Sequence, residues 1–288
     1  MADEYAKKLT VKPRDGTEFE LLFYEPGGAV NGCVLLLHGF GEYAMMYRHV
    51  CETFAGAGYA CAIYDQRGHG EMPGLNRAKR KKRLGVLKDY GLFLDDVEAA
   101  KNKISELYPG VPLILYGHSM GGNIAANYAI KNAEGGFAKL ILEAPWLRLK
   151  TPKPRALVFA SRALGKVSHK LAVRDKLVLE ILTHDENVVE AMRNDTTYHN
   201  RISFKIFAQL TDAGEYAIFN ADKIFVKTLV LCSGNDLVVC PDAEREFARK
   251  AGAELYEDEN AFHALHNEAE PSRQSAFDAM LEFLRARD

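Results

Sequence analysis

Long apolar runs are absent from this sequence of 288 residues. None approaches the roughly 20 residues that a membrane-spanning helix needs, so we expect no transmembrane segment. Residues 1–8 are charged and lack the apolar core of a signal peptide, so we expect no secretory leader. The net charge is only −2, which gives no reason to expect nucleic-acid binding. No internal repeat or low-complexity tract is visible.

Cysteine is also scarce. The five cysteines form an odd set without a C-x-x-C motif, and three of them lie in apolar, strand-like runs; the full set is Cys33, Cys51, Cys61, Cys232 and Cys240. Reduced core thiols are the simplest interpretation, which favours a cytoplasmic protein. No spacing of histidine and cysteine is typical of a metal site, so we expect neither a metal nor another cofactor.

The pattern that is present alternates strands with helices. A hairpin is predicted first, with strands at 5–12 and 18–24 joined by a Pro-Arg-Asp-Gly turn. Further strands are predicted at 33–37, 59–64, 112–116, 139–142, 228–233 and 253–257, and helices at 45–55, 89–108, 121–131, 243–250 and 272–287. Such alternation predicts an α/β fold with a mostly parallel sheet and helices on both faces.

One segment interrupts this alternation. Residues 146–220 contain no clear strand and several helical stretches, such as those at 154–166, 175–182 and 187–194. We therefore predict a helical cap at 146–220, inserted into a core formed by 1–145 and 221–288. A basic run at 77–83 also stands out, and a solvated loop is its simplest interpretation.

The most informative motif is Gly117-His118-Ser119-Met120-Gly121. It lies between a predicted strand and a predicted helix, the setting of a nucleophile elbow, in which a strained turn exposes the serine hydroxyl. Side chains at 117 and 121 would collide in such a turn, which gives both glycines a steric reason. We predict that Ser119 is a nucleophile, although a plain glycine-rich turn is the alternative.

A serine hydroxyl needs a histidine base, and that histidine needs a carboxylate partner. Asp236 follows the strand at 228–233, and His263 follows the strand at 253–257, so both are expected at the carboxyl edge of the sheet. Each has a rival, because His266 comes three residues after His263 and Glu143 follows the strand at 139–142. We favour Asp236 and His263.

An oxyanion hole requires two backbone N–H groups. Met120 follows the proposed nucleophile, and Phe40 lies in the loop after the first buried strand, so these two are the predicted donors. Gly39 and Gly41 would let that loop approach a substrate closely. The loop at 65–70 is expected to serve structure through Asp65 and Arg67, with no catalytic role for its His69.

Four motifs in combination resemble the monoacylglycerol lipase/lysophospholipase family of α/β-hydrolases: His38-Gly39-Phe40-Gly41-Glu42, residues 65–70, residues 117–122 and residues 262–268. The segment from Thr183 to His199 resembles the cap of that family. The resemblance implies the α/β-hydrolase fold and a Ser–Asp–His triad under a helical lid, with hydrolysis of lipid or aryl carboxylic esters. Glu143 and Trp146 depart from the residues usual in the family, which leaves the substrate open.

The expected function is hydrolysis of monoacylglycerols, lysophospholipids or other small acyl esters. The predicted substrate contacts are Gly39, Glu143, Trp146, Phe159 and Leu164. The first part of the cap carries nine cations and one acid, which fits either transient contact with an anionic membrane surface or an ordinary solvated helix surface; the cations are Arg148, Lys150, Lys153, Arg155, Arg162, Lys166, Lys170, Arg174 and Lys176. An aminopeptidase or amidase, and a catalytically silent binding protein, are the alternatives. The oligomeric state stays open.

Overall fold

A computed structural model describes residues 6–72, 75–132, 136–174 and 178–286. Its centre is an eight-stranded sheet in the order β1-β2-β4-β3-β5-β6-β9-β10. The strands are β1 (Ala6–Val11), β2 (Phe19–Tyr24), β3 (Gly32–Leu37), β4 (Tyr59–Tyr64), β5 (Leu113–His118), β6 (Lys139–Glu143), β9 (Lys227–Ser233) and β10 (Glu254–Asp258). β1 and β2 pair antiparallel, β2 also runs antiparallel to β4, and the remaining pairs are parallel.

Helices cover both faces of this sheet because its central strands are apolar on both sides. Along β3, Cys33, Leu35 and Leu37 join one core cluster, whereas Val34 and Leu36 join the other. This alternation follows from the two-residue period of a strand. One face carries α3 (Gly91–Leu107), α4 (Met120–Lys131) and α8 (Pro241–Ala251), and the other carries α1 (Arg48–Gly56) and α9 (Ser272–Arg285).

These elements confirm the predicted α/β fold, including the N-terminal hairpin and the alternation of strands and helices. The predicted ends at Tyr5 and Arg287 lie outside the described residues. The helix predicted at 45–55 begins with a 3-10 turn at Ala44–Tyr47 and continues as α1.

The segment between β6 and β9 contains α5 (Arg155–Val167), β7 (Ala172–Arg174), α6 (Glu186–Asn194), β8 (Arg201–Ser203) and α7 (Phe204–Phe219). The prediction of no strand was wrong, since β7 and β8 pair antiparallel. The prediction of a helix at 175–182 was also wrong. Residues 175–177 lie outside the described residues, and residues 178–182 contain only a 3-10 turn at Leu179–Ile181. α7 was not predicted. It packs against both α4 and α5, so its apolar residues do not form the single stripe that marks a surface helix. The domain boundaries at 146 and 220 stay a prediction.

The basic run at 77–83 is a helix, α2 (Arg77–Arg83), and not the loop that was expected. The side chain of Asn76 caps its N-terminus by accepting the Lys79 N–H. Arg201 donates to the carbonyls of Lys81, Lys82 and Leu84 at its other end. Both helix ends are therefore satisfied, the second by a residue distant in sequence.

Candidate active site

Ser119 lies between β5 and α4, at the carboxyl edge of the sheet. Its φ of 53° and ψ of −113° are unusual for a residue with a side chain, and its N–H donates to the carbonyl of Glu143 at 3.0 Å. This strained backbone is the conformation that a nucleophile elbow requires. The serine is buried, at 6% exposure.

The two glycines of the motif are explained by close backbone contacts. A Cβ at Gly117 would lie 2.4 Å from the carbonyl oxygen of Gly121, and one at Gly121 would lie 2.0 Å from that of Leu37. Neither distance can accommodate a side chain, because both neighbours are backbone atoms. The turn therefore requires glycine at both positions.

A chain of hydrogen bonds connects Ser119 to residues that follow β9 and β10. The hydroxyl of Ser119 lies 2.9 Å from Nε2 of His263, and Nδ1 of His263 lies 2.7 Å from Oδ2 of Asp236. Because the Asp236 oxygen accepts, Nδ1 carries the proton and Nε2 is left to accept from the serine. The other oxygen of Asp236 accepts the N–H groups of Val238 and Val239 at 2.6 and 2.9 Å, which fixes its orientation.

The rival residues form a separate pair. Nδ1 and the backbone N–H of His266 donate to Oε1 of Glu143 at 2.8 and 3.1 Å. Burial opposes a charged Glu143, but the charge of His266 and its hydrogen bond outweigh burial and lower the pKa of Glu143 to about 2. Neither residue contacts Ser119 through its side chain in this geometry, since His263 occupies that position.

A buried ion pair lies below the site. His118 Nδ1 is 3.5 Å from Oε2 of Glu42, and the Tyr47 hydroxyl lies 2.7 Å from the same nitrogen. Burial disfavours a charged His118, but the adjacent Glu42 carboxylate outweighs burial and raises the pKa of His118 to about 9. Burial likewise opposes a charged Glu42, yet His118 holds its pKa below the usual range. Nε2 of His118 faces the carbonyl of His263 at 3.4 Å.

The loop after β3 faces Ser119. The N–H of Gly39 donates to Glu42 at 2.7 Å and to Tyr47 at 3.1 Å, so the next N–H, that of Phe40, is the candidate oxyanion donor of this loop. Gly41 has a φ of 81°, and a Cβ there would lie 2.0 Å from the carbonyl oxygen of His199. The segment between β6 and β9 therefore packs directly on this loop.

Ser119 opens into a cavity of about 220 Å³. Gly39, Phe40 and Trp146, which were predicted at the site, line it. Its other walls are largely apolar and come from the segment between β6 and β9 and from the loop after β9; they include Leu149, Ile181, Ile202, Phe207, Leu237 and Val238. These side chains are not among the predicted substrate contacts, because none belongs to a local motif; their apolar character was the one signal in the sequence.

Three predicted substrate contacts lie elsewhere. Phe159 is 70% exposed on α5 and lines a separate groove between α5 and α7. Leu164, also on α5, is 37% exposed and is not part of the cavity wall next to Ser119. Glu143 is fully buried beneath that wall, against His266. Because Ser161 and Gly165 form the buried side of α5, the helix directs Phe159 and Leu164 away from the site.

The loop at 65–70 has the structural role that was expected. Arg67 forms ion pairs with Asp96 and Asp15, and Asp65 accepts the N–H groups of Ala44 and Glu71. His69 is buried, and its Nδ1 faces the Arg67 carbonyl at 3.1 Å. Burial holds the pKa of His69 well below its ordinary range.

One group of potential metal ligands occurs in the described residues. Ligand atoms of His118, Glu143 and His266 lie within 4.8 Å of one another, all buried. The hydrogen bonds between Glu143 and His266, and between His118, Glu42 and Tyr47, already use these groups. The cluster is therefore explained as a hydrogen-bonding network without an ion.

The sheet order, the elbow and the edge position of His263 and Asp236 define an enzyme of the α/β-hydrolase fold. Comparison with protein families agrees. The family model described as serine aminopeptidase, S33 (Hydrolase_4), matches residues 28–270, and the chain belongs to this family.

Individual relatives are lipases and related proteins. Phospholipase YtpA of Bacillus subtilis is 26% identical over 254 residues, which is 87% of this chain and 93% of that protein. A solved monoglyceride lipase of Saccharomyces cerevisiae, in complex with a substrate analog, is 25% identical with a TM-score of 0.84, covering 99% of this chain and 97% of its own. An uncharacterized abhydrolase domain-containing protein of Dictyostelium discoideum is 26% identical over 88% of this chain, which spans only 26% of that protein. These relatives confirm the resemblance and place the chain among carboxylic ester hydrolases.

Proposed function

We propose that this protein hydrolyses small acyl esters through an acyl-enzyme intermediate on Ser119, with monoacylglycerols and lysophospholipids as candidate substrates. The observation that carries the proposal is the hydrogen-bonded series Ser119–His263–Asp236 at the base of an apolar cavity. A serine, a base and an orienting carboxylate in this order are the groups that nucleophilic acyl transfer needs.

In the proposed mechanism, Ser119 attacks the ester carbonyl while Nε2 of His263 takes its proton. Asp236 keeps the imidazole in the required tautomer and stabilises its cation. The N–H groups of Met120 and Phe40 stabilise the oxyanion that forms. His263 then gives the proton to the departing alcohol, and a water molecule activated by His263 releases the acid. No cofactor enters these steps.

The cavity supports an acyl substrate over a peptide. Among the described residues that line it, Glu42 is the single carboxylate, and His118, Tyr47 and the Gly39 N–H already engage it. An aminopeptidase would need a free carboxylate to hold the substrate ammonium, so we favour ester hydrolysis over the aminopeptidase activity in the family's description. The apolar walls suit an acyl chain, as the lipase names of the relatives suggest.

Reversible contact with a lipid surface is part of the proposal. Phe159, Val167 and Val178 are exposed on the segment between β6 and β9, and the first two are close in sequence to Arg155 and Lys166 respectively. Exposed apolar side chains with flanking cations suit an anionic interface. Two other cap cations are occupied, since Arg148 pairs with Glu215 and Glu246, and Arg162 pairs with Asp212. Asp175 and Lys176 lie outside the described residues.

None of the helices that the structure describes is long and apolar enough to cross a bilayer. A cytoplasmic location remains part of the proposal, supported by the five cysteines, which are all free thiols.

The test combines labelling with a substrate screen. A fluorophosphonate should label the wild type on Ser119 and leave Ser119→Ala unlabelled, and this variant should lose kcat by a factor on the order of 10⁶. The screen compares p-nitrophenyl esters, monoacylglycerols, lysophosphatidylcholine and feruloyl esters with aminoacyl amides. Labelling of another residue would refute the assignment of Ser119 as the nucleophile. Preferred cleavage of the amides would favour an aminopeptidase or amidase. A wild type that is neither labelled nor active would favour a binding protein.

A further inference from the structure

Glu143 contacts both halves of the proposed machinery without facing the cavity. It is the last residue of β6, and in the sheet it stands between His118 of β5 and Leu231 of β9. Its backbone carbonyl accepts the N–H of Ser119 at 3.0 Å. Glu143 therefore fixes the backbone of Ser119, the proposed nucleophile.

The carboxylate of Glu143 holds the histidine loop. Oε1 accepts the backbone N–H of His266 at 3.1 Å and its Nδ1–H at 2.8 Å, while Oε2 accepts the hydroxyl of Tyr116. Three donors on one buried carboxylate leave it little freedom to rotate. His266 is three residues beyond His263 on the same loop, so this loop is fixed relative to β6.

His266 cannot easily move independently of this contact. Its ring stacks on Tyr47 with centroids 4.7 Å apart and planes at 26°, and its carbonyl accepts from Nε2 of His49 at 3.0 Å. Any displacement of His266 must therefore break packing as well as hydrogen bonds. The rigid path runs from Ser119 through Glu143 and His266 to His263.

We propose that Glu143 is a positioning residue that sets the distance between Ser119 and His263 by bonding to the elbow with its backbone and to the histidine loop with its carboxylate. The inference rests on the proposed function, since it assigns His263 as the base. It assigns Glu143 neither as the triad acid nor as a substrate contact. A carboxylate is needed because both of its oxygens accept, Oε1 from His266 and Oε2 from Tyr116, whereas an amide would place an NH₂ donor at one of these positions and leave a buried donor without its acceptor.

The main experiment compares Glu143→Gln with Asp96→Asn. Gln is similar in size and loses the charge, and Asp96 is an equally buried carboxylate whose Arg67 pair lies away from the cavity. We expect Glu143→Gln to lower kcat about 10- to 100-fold with KM within about twofold, because small misplacements of reacting groups cost rates of this order. The rate of fluorophosphonate labelling should fall in parallel. Asp96→Asn should lower Tm but keep kcat.

A second pair of variants tests the path through His266 and remains informative if Glu143→Gln does not fold. In His266→Asn the side-chain amide can still donate to Glu143, whereas in His266→Leu the side-chain donor is lost and only the backbone N–H remains. We expect His266→Asn to retain most of kcat and His266→Leu to lose it about as Glu143→Gln does.

The inference would be overturned by a Glu143→Gln enzyme with wild-type kcat and labelling rate, by an equal loss of kcat in Asp96→Asn, or by equal activity in the two His266 variants. Failure of the proposed function gives a different result. In that case Ser119→Ala keeps its activity or its label, whatever the Glu143 variants do.

Discussion

Raising the pH from about 6.5 to about 9 should destabilise this protein by removing the proton from His118. In the folded state the carboxylate of Glu42, 3.5 Å from Nδ1 of that buried histidine, raises the pKa of His118 from 6.5 to about 9. The folded protein therefore holds a proton that the unfolded chain releases near neutrality. Stabilisation by this pair is complete below pH 6.5 and is lost as the pH rises through about 9.

The magnitude follows from these two pKa values. They differ by about 2.5, and each whole pKa difference corresponds to about 1.36 kcal/mol, which gives a contribution of about 3 kcal/mol. Solvent does not screen the pair appreciably, because His118 is 2% exposed and Glu42 is 6% exposed. A loss of this size is a large share of the stability of an ordinary domain.

Other histidines act in a different pH range. Burial lowers the pKa values of His49 and His199 to about 4 and also lowers those of His38 and His69. In the unfolded chain these four take up protons near pH 6.5, so they destabilise the fold as the pH falls below that value. The window from about 6.5 to about 9 therefore isolates His118 from them.

The measurement is urea-induced unfolding followed by far-UV circular dichroism across this pH window, on the wild type and on His118→Asn. The variant cannot titrate at this position, and it shares the other titratable side chains of the wild type. The stability advantage of the wild type should shrink by about 3 kcal/mol as the pH rises. A constant difference, or one that grows with pH, would refute the ion pair.

Three further predictions concern the proposed site. Asp236→Asn should keep the fold but favour the wrong tautomer of His263. By analogy with serine proteases, steady-state kinetics should then show a loss of kcat on the order of 10⁴. A larger loss of kcat in Glu143→Gln would instead identify Glu143 as the acid of the triad. Ile181→Ala and Phe207→Ala should shift the acyl-chain preference in kcat/KM, because both residues line the cavity and a buried methylene is worth about 0.8 kcal/mol. The control Phe159→Ala, outside the cavity, should leave the preference unchanged. Equal chain-length profiles in all three variants would show that Ile181 and Phe207 do not select the substrate. Charge reversal of Arg155 and Lys166 should weaken activity on anionic vesicles at low salt and less so at high salt, and a salt-independent result would make these cations ordinary surface.

The sequence by itself determined the features that depend on neighbouring residues. Gly117 and Gly121 mark the elbow because the steric conflict that excludes side chains there arises within the turn and against the adjacent strand. The strands were predictable from their apolar runs, and the hairpin from its turn. Strand ends also predicted that Asp236 and His263 would share one edge, because parallel strands bring their carboxyl ends together.

The tertiary structure decided which of several suitable side chains meet. Spacing alone left His263 and His266 as rivals, and the fold pairs one with Asp236 and the other with Glu143. Similarly, Phe159 is as apolar as Phe207, yet only the latter reaches the cavity, because the faces of α5 and α7 are set by their packing. Helix α2 depends on Arg201, more than 100 residues away, for the donor that its C-terminal carbonyls accept from. Contacts between distant segments carry no local pattern, which is why these features emerged only from the folded chain.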